Sequence, residues 1–268
     1  MPELPEVETI RRQLEPELIG LSIIGLSVFW SKTLEGNTQE TIGPLLENQQ
    51  IKGVLRRGKY FILHLGNGFL VYHLRMTGRL YMSKNHKGHD AWVRFSLACS
   101  NGVYLIFSDT RKFGRVYFSE DLRELEDKLG PEPLTLPLKS WPELFKESRK
   151  TLKAFLLDQK KIAGIGNIYA DESLFSAKLH PLKPANALSE RETLLLAKKI
   201  KQILQQAIMY EGATISWYRK PDGSQGESQK HFNVYGKAGK PCPRCQTILL
   251  KISVSQRTTT FCSACQIL

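Results

Sequence analysis

The 268-residue sequence predicts an α+β protein with more than one domain. An apolar stripe with helical spacing opens the chain, and strand-like runs separated by Gly-containing turns follow it. Beyond a proline-rich stretch the spacing becomes helical again, and the chain ends in four regularly spaced cysteines. We therefore expect an N-terminal antiparallel β-sandwich with a leading helix, then a helical domain, then a cysteine hairpin.

The first half of the chain is predicted as one helix followed by the sandwich. In PEVETIRRQLEPELIG the apolar residues recur at intervals of three and four, which places them on one helical face. These residues are Val7, Ile10, Leu14 and Leu18. The later runs SIIGLSVFW, YFILHL, FLVYHL and WVRFSLACS are rich in β-branched and aromatic residues, and GNG and NG turns break them. This pattern of strand-like runs and short turns indicates mostly antiparallel strands, in a sandwich or a flattened barrel.

The second half begins after LGPEPLTLPLKSWPELF, whose four prolines mark a domain boundary. Apolar stripes with helical spacing follow in LFKESRKTLKAFLLDQ, NIYADESLFSAKL and LSERETLLLAKKIKQILQQAIMY. A polar loop, YRKPDGSQGESQK, separates the last of these helical stretches from the cysteine region. We find no internal repeat and no low-complexity tract.

Composition narrows the class of protein. An apolar content of 41% is enough for real cores and excludes a disordered chain. No run of eighteen apolar residues and no basic leader with an apolar core is present, so we expect a cytoplasmic protein with access to the nucleoid. The net charge of +12 and pI of about 9.5 favour a polyanionic partner, since Lys and Arg at phosphates release condensed counterions.

Five cysteines are present, and four of them form a metal-binding pattern. Cys242 and Cys245 are separated by two residues, sixteen residues follow, and then Cys262 and Cys265 repeat the spacing. In a reducing compartment this pattern predicts one Zn²⁺ bound by four thiolates rather than two disulfides. Four cysteine ligands leave no open coordination position, so the zinc is expected to be structural. Cys99, inside a strand-like run, is expected to be a buried small apolar residue.

The opening MPELPE places a proline beside two carboxylates. If Met1 is removed, Pro2 becomes a secondary amine, and α-amino groups have a pKa of about 7.7–8.0, which the positive end of the following helix lowers further. Such an amine can attack a sugar C1′ and form an iminium that acts as an electron sink. Glu3 could then serve as general acid or base, and Glu6 could support the amine. The alternative is a stiff helix cap with carboxylates that complement the helix dipole.

Further segments offer contacts for a nucleic acid. The Gly-Ile-Gly turn before Asn167 opens a helix, and the main-chain N–H groups there favour an anion. Arg257 lies at the expected tip of the cysteine hairpin, where it suits a backbone phosphate, although a solvated charge fits as well. A last set stands near predicted strand ends or turns: Met76, Arg111 and Phe113. These three could wedge into a base stack or belong to an ordinary core.

The motifs PELPEVETIRR, RRGKY, HLRMTG, DTRKFG, LGPEPL, AGIGNIYADESL, VYGKAGKPC and FCSACQ follow one another along the chain. In this order the chain resembles the bacterial formamidopyrimidine-DNA glycosylases over essentially its whole length. The resemblance implies a catalytic β-sandwich over residues 1–130, a linker at 131–141, a helix–two-turn–helix DNA-binding domain with a lesion-recognition loop at 142–232, and a zinc finger at 233–268. It also implies a monomer that binds double-stranded DNA containing oxidised bases in a cleft between the domains.

The resemblance implies a bifunctional glycosylase and AP lyase that removes 8-oxoguanine and formamidopyrimidines and then nicks the strand by β,δ-elimination. By residue match, Pro2 is the Schiff-base nucleophile, Glu3 the acid–base residue, and Glu6 their support. Lys59 matches the lysine of β-elimination, and Arg257 matches the arginine of δ-elimination. The matches to DNA-binding residues are His73, Met76, His89, Arg111, Phe113, Arg149 and Asn167.

Some positions depart from the family pattern. The finger reads SQRTTTFC where the family often has a glycine beside the arginine, and Ala91 and Trp92 stand where a second histidine is common. In the polar loop, Glu227 and Ser228 fall near positions that are often aromatic or bulky, so the lesion preference is the weakest inference.

Three alternatives stay open from the sequence. An enzyme similar to endonuclease VIII would prefer oxidised pyrimidines, but its start typically reads PEGPE, and Leu4 here favours the purine enzyme. A protein that binds lesions without catalysis would result if Met1 were retained. A plain zinc-ribbon module would explain the charge and the cysteines but not the PELPEVE start.

Overall fold

The computed structural model describes residues 1–268, and the chain divides into two compact units. The first unit holds Met1–Leu125 and Tyr210–Gln229, and the second holds Glu126–Met209 and Lys230–Leu268. The polar loop that the sequence analysis grouped with the helices before it therefore belongs to the first unit. The chain leaves that unit and returns to it, an arrangement that no single boundary along the sequence describes. None of the helices has the length and apolar character needed to cross a membrane.

The first unit consists of a leading helix and two four-stranded antiparallel sheets. One sheet has the strand order β1-β6-β7-β5 and the other β2-β3-β4-β8. The elements are α1 (Leu4–Leu18), β1 (Ile23–Val28), α2 (Gln39–Leu46), β2 (Gly53–Arg57), β3 (Tyr60–His64), β4 (Phe69–His73), β5 (Gly78–Ser83), β6 (Val93–Cys99), β7 (Tyr104–Asp109) and β8 (Arg115–Ser119). The predicted helix and antiparallel sandwich are confirmed.

One apolar core joins the leading helix to both sheets. The predicted stripe of α1 is fully buried, and it packs with aromatic residues from inward-facing strand positions such as Phe61, Tyr72 and Phe107. Each fully buried large apolar side chain contributes about 1.5–3 kcal/mol relative to its exposed state. Burial of this stripe fixes the start of α1, and with it residues 2 to 6, against a rigid support. Cys99 is buried in the same core, as predicted.

The second unit is helical and ends in a two-stranded hairpin. Its elements are α4 (Trp141–Lys146), α5 (Leu152–Leu157), α6 (Asn167–Ser176), α7 (Glu190–Met209), β9 (Leu250–Val254) and β10 (Arg257–Phe261), and the chain reaches it through α3 (Arg123–Lys128). The helical spacing of LFKESRKTLKAFLLDQ is interrupted between α4 and α5. There the main-chain carbonyls of Ser148 and Lys150 accept N–H groups of Asn186 and Ala185, so a distant segment replaces the helical hydrogen bonds.

Candidate active site and zinc centre

The start of α1 is organised by the carboxylate of Glu6. One of its oxygens, Oε2, accepts the main-chain N–H of Glu3 at 2.7 Å, which is the capping contact at the helix start. The other, Oε1, accepts the main-chain N–H of Ala213 at 2.7 Å. Gly212 has φ +78°, and a Cβ there would lie 2.9 Å from Cγ of Glu6, so only glycine fits this approach. Glu6 thus ties the helix start to the returning segment Tyr210–Gln229.

Pro2 and Glu3 are buried beside this contact, and Met1 is exposed. With Met1 attached the Pro2 nitrogen is an amide, so an amine forms only after Met1 is removed. Once Met1 is removed, a Pro2 amine would lie at the start of α1 next to the carboxylate of Glu3.

Lys59 and His73 lie at neighbouring strand ends of the second sheet. Lys59 follows Gly58 in the turn between β2 and β3 and is buried. The Nδ1 atom of His73 accepts the N–H of Arg75 at 3.0 Å, and its ring packs edge-on against Tyr60. Burial, and then the charges of Arg75 and Lys59, lower the pKa of His73 to about 3. Since Nδ1 is an acceptor, the neutral ring carries its proton on Nε2.

The structure brings Met76, Arg111 and Phe113 together from two turns. Nη1 of Arg111 lies 3.2 Å from Sδ of Met76, and its guanidinium lies 4.8 Å from the centre of the Phe113 ring. Met76 and Phe113 are 38% and 46% exposed, which is unusual for large apolar side chains that have a core nearby. The alternative of ordinary core residues is therefore wrong for these two.

His89 and Arg149 are both exposed, in different units. His89 lies in the loop between β5 and β6, and its ring centre is 4.2 Å from that of Tyr81 in β5. Arg149 lies in the break between α4 and α5. Trp92, one of the departures from the family pattern, makes an edge contact with Trp217 of the returning segment.

In the second unit, the start of α6 contacts the hairpin. Gly166 caps α6, and the Nδ2 atom of the first helical residue, Asn167, donates to the carbonyl of Thr258 at 2.9 Å. Arg257 is exposed and opens β10 rather than occupying the tip itself. The tip residues Ser255 and Gln256 have φ +50° and +59°, a left-handed conformation that favours glycine. The departure from glycine noted in the sequence therefore places strain directly beside Arg257.

A buried ion pair that the sequence analysis missed lies under this contact. Nζ of Lys153 is 2.5 Å from Oδ1 of Asp171 and also donates to the Asn167 carbonyl at 2.9 Å. Oδ2 of Asp171 accepts the N–H of Thr260 in β10 at 3.1 Å. Burial raises the pKa of the Asp171 carboxyl, and the charge of Lys153 opposes that rise. A lysine and an aspartate on otherwise apolar helix faces were the only signal in the sequence.

The four cysteines of the two CxxC motifs lie close together in the second unit. Their Sγ atoms all lie within 4.8 Å of one another, with Cys242 to Cys265 at 3.9 Å and Cys245 to Cys262 at 3.4 Å. A tetrahedral zinc with Zn–S bonds of about 2.3 Å requires sulfur atoms about 3.8 Å apart. The donor set therefore fits one structural Zn²⁺, as predicted. Cys242 and Cys262 also pack against Phe175, which attaches the metal centre to α6.

Comparisons with known proteins agree with this arrangement. Three family models match in succession: Formamidopyrimidine-DNA glycosylase N-terminal domain at residues 1–116, Formamidopyrimidine-DNA glycosylase H2TH domain at 129–219, and Zinc finger found in FPG and IleRS at 239–267. A formamidopyrimidine-DNA glycosylase from Protochlamydia amoebophila is 44% identical and covers 99% of both chains. One from Chloroflexus aurantiacus is also 44% identical and covers 100% of this chain and 98% of its own.

Solved structures show the same fold over the full length. A Lactococcus lactis FPG variant in complex with Fapy-dG-containing DNA is 37% identical, has a TM-score of 0.91 and covers 100% of both chains. The Lactococcus lactis Fpg in complex with DNA containing an abasic site gives the same identity and TM-score. The α+β fold, the helix–two-turn–helix region and the zinc finger predicted from the sequence are confirmed. The chain belongs to the formamidopyrimidine-DNA glycosylase family, enzymes of base excision repair.

Proposed function

We propose that this protein excises oxidised purines, 8-oxoguanine and formamidopyrimidines, from duplex DNA and then cleaves the strand as an AP lyase. The observation that carries the proposal is the start of α1. There Pro2 and Glu3 are buried together, and Glu6 fixes the main chain of Glu3 through a 2.7 Å hydrogen bond. A helix cap alone needs no proline at position 2 and no second bond from Glu6 to Ala213.

The proposed chemistry begins with the free secondary amine of Pro2. Its lone pair forms a bond to C1′ of the damaged nucleoside, and the bond from C1′ to the base nitrogen breaks, with the electron pair leaving on the base. The carboxylate of Glu3 takes the proton that the Pro2 nitrogen loses and donates it to the sugar ring oxygen, which opens the ring and gives an iminium at C1′. Because the Pro2 nitrogen then has no hydrogen left to lose, the iminium stays cationic.

Strand cleavage follows from that cation. Loss of a C2′ proton pushes electrons toward the iminium and expels the 3′ phosphate, and a second elimination expels the 5′ phosphate. Lys59, which is buried near His73, is the proposed carrier for the first of these proton transfers. Arg257, exposed at the start of β10, is the proposed phosphate contact in the second.

Binding of double-stranded DNA is the role we propose for the remaining matched residues. The net charge of +12 supplies the sequence-independent attraction. The wedge formed by Met76, Arg111 and Phe113 would fill the space that an extruded base leaves. The proposed backbone contacts are His73 through its Nε2–H, His89, Arg149 and Asn167.

The zinc centre supplies structure rather than chemistry in this proposal. Four thiolate ligands fill a tetrahedral shell and leave no position for a substrate. The centre holds β9 and β10 against α6 and so fixes Arg257. We further propose that the protein works as a monomer on chromosomal DNA in the cytoplasm. The proposed domains are the catalytic sandwich at 1–130, the helical domain at 142–232 and the zinc finger at 233–268, with Tyr210–Gln229 packed in the first unit.

Two alternatives define the outcomes of the test. A preference for oxidised pyrimidines would be the endonuclease VIII type of activity, and the Lactococcus lactis Fpg has been crystallised with DNA containing an oxidised pyrimidine. Leu4 was the residue that favoured the purine enzyme in the sequence. It is fully buried, so its side chain packs in the interior and is not available to contact a lesion. A protein that retains Met1 would bind lesions without cleaving them.

Borohydride trapping tests the proposal directly. Protein whose mass shows removal of Met1 is mixed with a duplex that carries one 8-oxoguanine opposite cytosine, reduced, digested and mapped by mass spectrometry. We expect a cross-link on Pro2 and none in Pro2→Gly. Tight lesion binding without any adduct would contradict the catalytic proposal, and an adduct formed only with an oxidised pyrimidine would contradict the substrate class.

A further inference from the structure

Asp109, at the end of β7, has a carboxylate that no part of the proposed chemistry uses. It is 1% exposed and accepts three hydrogen bonds from uncharged donors. Oδ1 accepts the hydroxyl of Thr77 and the main-chain N–H of Arg111 at 3.2 Å, and Oδ2 accepts the main-chain N–H of Gly114 at 2.7 Å. A carboxylate with several directed donors holds them more firmly than a neutral acceptor would.

These donors belong to the two turns that carry the wedge. Thr77 follows Met76, while Arg111 and Gly114 enclose the second turn, which also presents Phe113. The Thr77 hydroxyl oxygen itself accepts the Arg111 N–H at 3.2 Å, so one hydroxyl and one carboxylate join both turns.

Each turn contains a residue whose conformation needs such support. Arg75 has φ +52° and Lys112 has φ +60°, and both are non-glycine residues in the left-handed region. Conformations of this kind persist when the surrounding structure over-determines them. The hydrogen bonds from Arg111 and Gly114 to Asp109 enclose Lys112. The Thr77 bond to Asp109, together with the Arg75 bond to His73, holds the other turn.

Asp109 is in turn held rigidly by the sheet. Its N–H donates to the Trp92 carbonyl at 2.8 Å, and its carbonyl accepts from Nε of Arg94 at 2.9 Å. Gly114 comes close because it has no side chain, since a Cβ there would meet the Phe107 ring at 2.3 Å. The carboxylate therefore transmits the fixed position of β7 to both turns.

We infer that Asp109 is a positioning residue for base extrusion: it sets the spacing of the two turns so that Met76, Arg111 and Phe113 enter the base stack as one preformed wedge. The inference rests on the proposed function of that wedge. Extrusion of a stacked, paired base is needed in duplex DNA and is not needed in a single strand. Loss of Asp109 should consequently slow work on duplex DNA and spare the chemistry of the Pro2 amine.

Asp109→Asn tests the inference because it keeps the size of the side chain but replaces one accepting oxygen with an NH₂ group. That group cannot accept the N–H or O–H donor that faces it. The matched control is Asp121→Asn, since Asp121 also accepts the N–H two residues on, that of Arg123, but its side chain is 45% exposed. Two substrates are compared: a duplex with one 8-oxoguanine opposite cytosine, and a single-stranded oligonucleotide with one abasic site. We expect Asp109→Asn to lower base removal from the duplex about ten- to a hundredfold, the effect of one charged hydrogen bond. Cleavage of the single strand and both reactions of the control should stay within about twofold of the parent.

A second background separates positioning from general destabilisation. In an Arg111→Ala, Phe113→Ala protein, the added effect of Asp109→Asn on the duplex should shrink to about twofold, because the wedge it positions is gone. If Asp109→Asn does not fold, Thr77→Val replaces it, since it removes one bond of the same set and should also slow the duplex reaction selectively. Equal losses on both substrates, or an unchanged duplex rate, would overturn the inference. A parent protein inactive on both substrates would instead overturn the proposed function.

Discussion

In the first unit Asp109 faces a hydroxyl and two main-chain N–H groups, whereas in the second unit Asp171 faces the ammonium of Lys153 as well as the N–H of Thr260. Both carboxylates are at most 2% exposed, and each lies next to residues proposed to touch DNA. The first unit therefore offsets the cost of a buried charge with directed hydrogen bonds, and the second offsets it with a counter-charge.

Because of this difference, substitutions that remove a partner of either carboxylate should affect the two units in different ways. Hydrogen bonds to main-chain N–H groups fix geometry, so losing them in the first unit should misplace the wedge without unfolding the sheet behind it. An ion pair stripped of one partner leaves an uncompensated buried charge, so the second unit should lose stability. Four experiments test this difference between the units, and the one with the greatest predicted loss comes first.

Removal of the metal should have the largest effect, and only in the second unit. Cys242→Ser should release the zinc, whose binding to finger peptides is worth about 10–16 kcal/mol, and should unfold the hairpin that carries Arg257. Metal content by emission spectrometry and binding to duplex DNA by fluorescence anisotropy measure the two losses. Cys99→Ser, in the first-unit core, should keep its zinc. Unchanged DNA affinity in Cys242→Ser would contradict the proposed role of the finger.

Glu3→Gln should stop the chemistry of the first unit and leave both folds intact. Loss of a general acid slows a reaction by about 10²- to 10⁴-fold, while the charge-driven affinity for lesion DNA should hardly change. Single-turnover base removal and binding are measured on the same duplex. Glu17→Gln, exposed on the same helix, is the control and should behave as the parent. Normal base removal by Glu3→Gln would rule out the proposed acid–base role.

Lys153→Met should destabilise the second unit by about 3–5 kcal/mol, because it leaves Asp171 charged and unpaired. Hydrogen exchange at Thr260 and along α6 reports this loss, and strands of the first unit should keep their protection. Lys150→Met breaks a bond of 2.6 Å to Asp158, but Lys150 is half exposed, so the expected cost is about 0–1 kcal/mol. Adding Asp171→Leu to Lys153→Met should restore much of the stability. Equal exchange in both lysine variants would contradict the contrast between the units.

The effect that is smallest at neutral pH concerns one proton in the first unit. The folded pKa of His73 is about 3, below its ordinary value of 6.5, so the unfolded chain binds more protons in this range. Stability is thus present above pH 6.5 and falls with pH down to about 3, by about 1.4 kcal/mol for each pH unit below 6.5. In ¹³C-labelled protein the His73 signal, assigned by its absence in His73→Asn, should show no titration between pH 7.5 and 4.5. A midpoint near 6.5 would show that the ring is hydrated.

Features that depend on local spacing could be predicted from the amino-acid sequence alone. The stripe of α1 and the strand runs with their turns specify elements, because side-chain periodicity decides which face can be buried. The two CxxC pairs specify a metal centre, because ligand number and spacing suffice for zinc. The PELPE start and the later motifs pointed to the family for the same reason, since each motif is a short contiguous segment of the chain.

The contacts between groups that are distant in the sequence become visible in the folded protein. The tertiary structure placed Tyr210–Gln229 in the first unit, bonded Ala213 to Glu6, and made Asp109 and Asp171 the centres of their networks. No local sequence pattern predicts these contacts, because the stability of a buried polar group depends on donors and charges supplied by residues far along the chain. Hydrogen-bond satisfaction in the folded interior, rather than any pattern in the sequence, selects those partners.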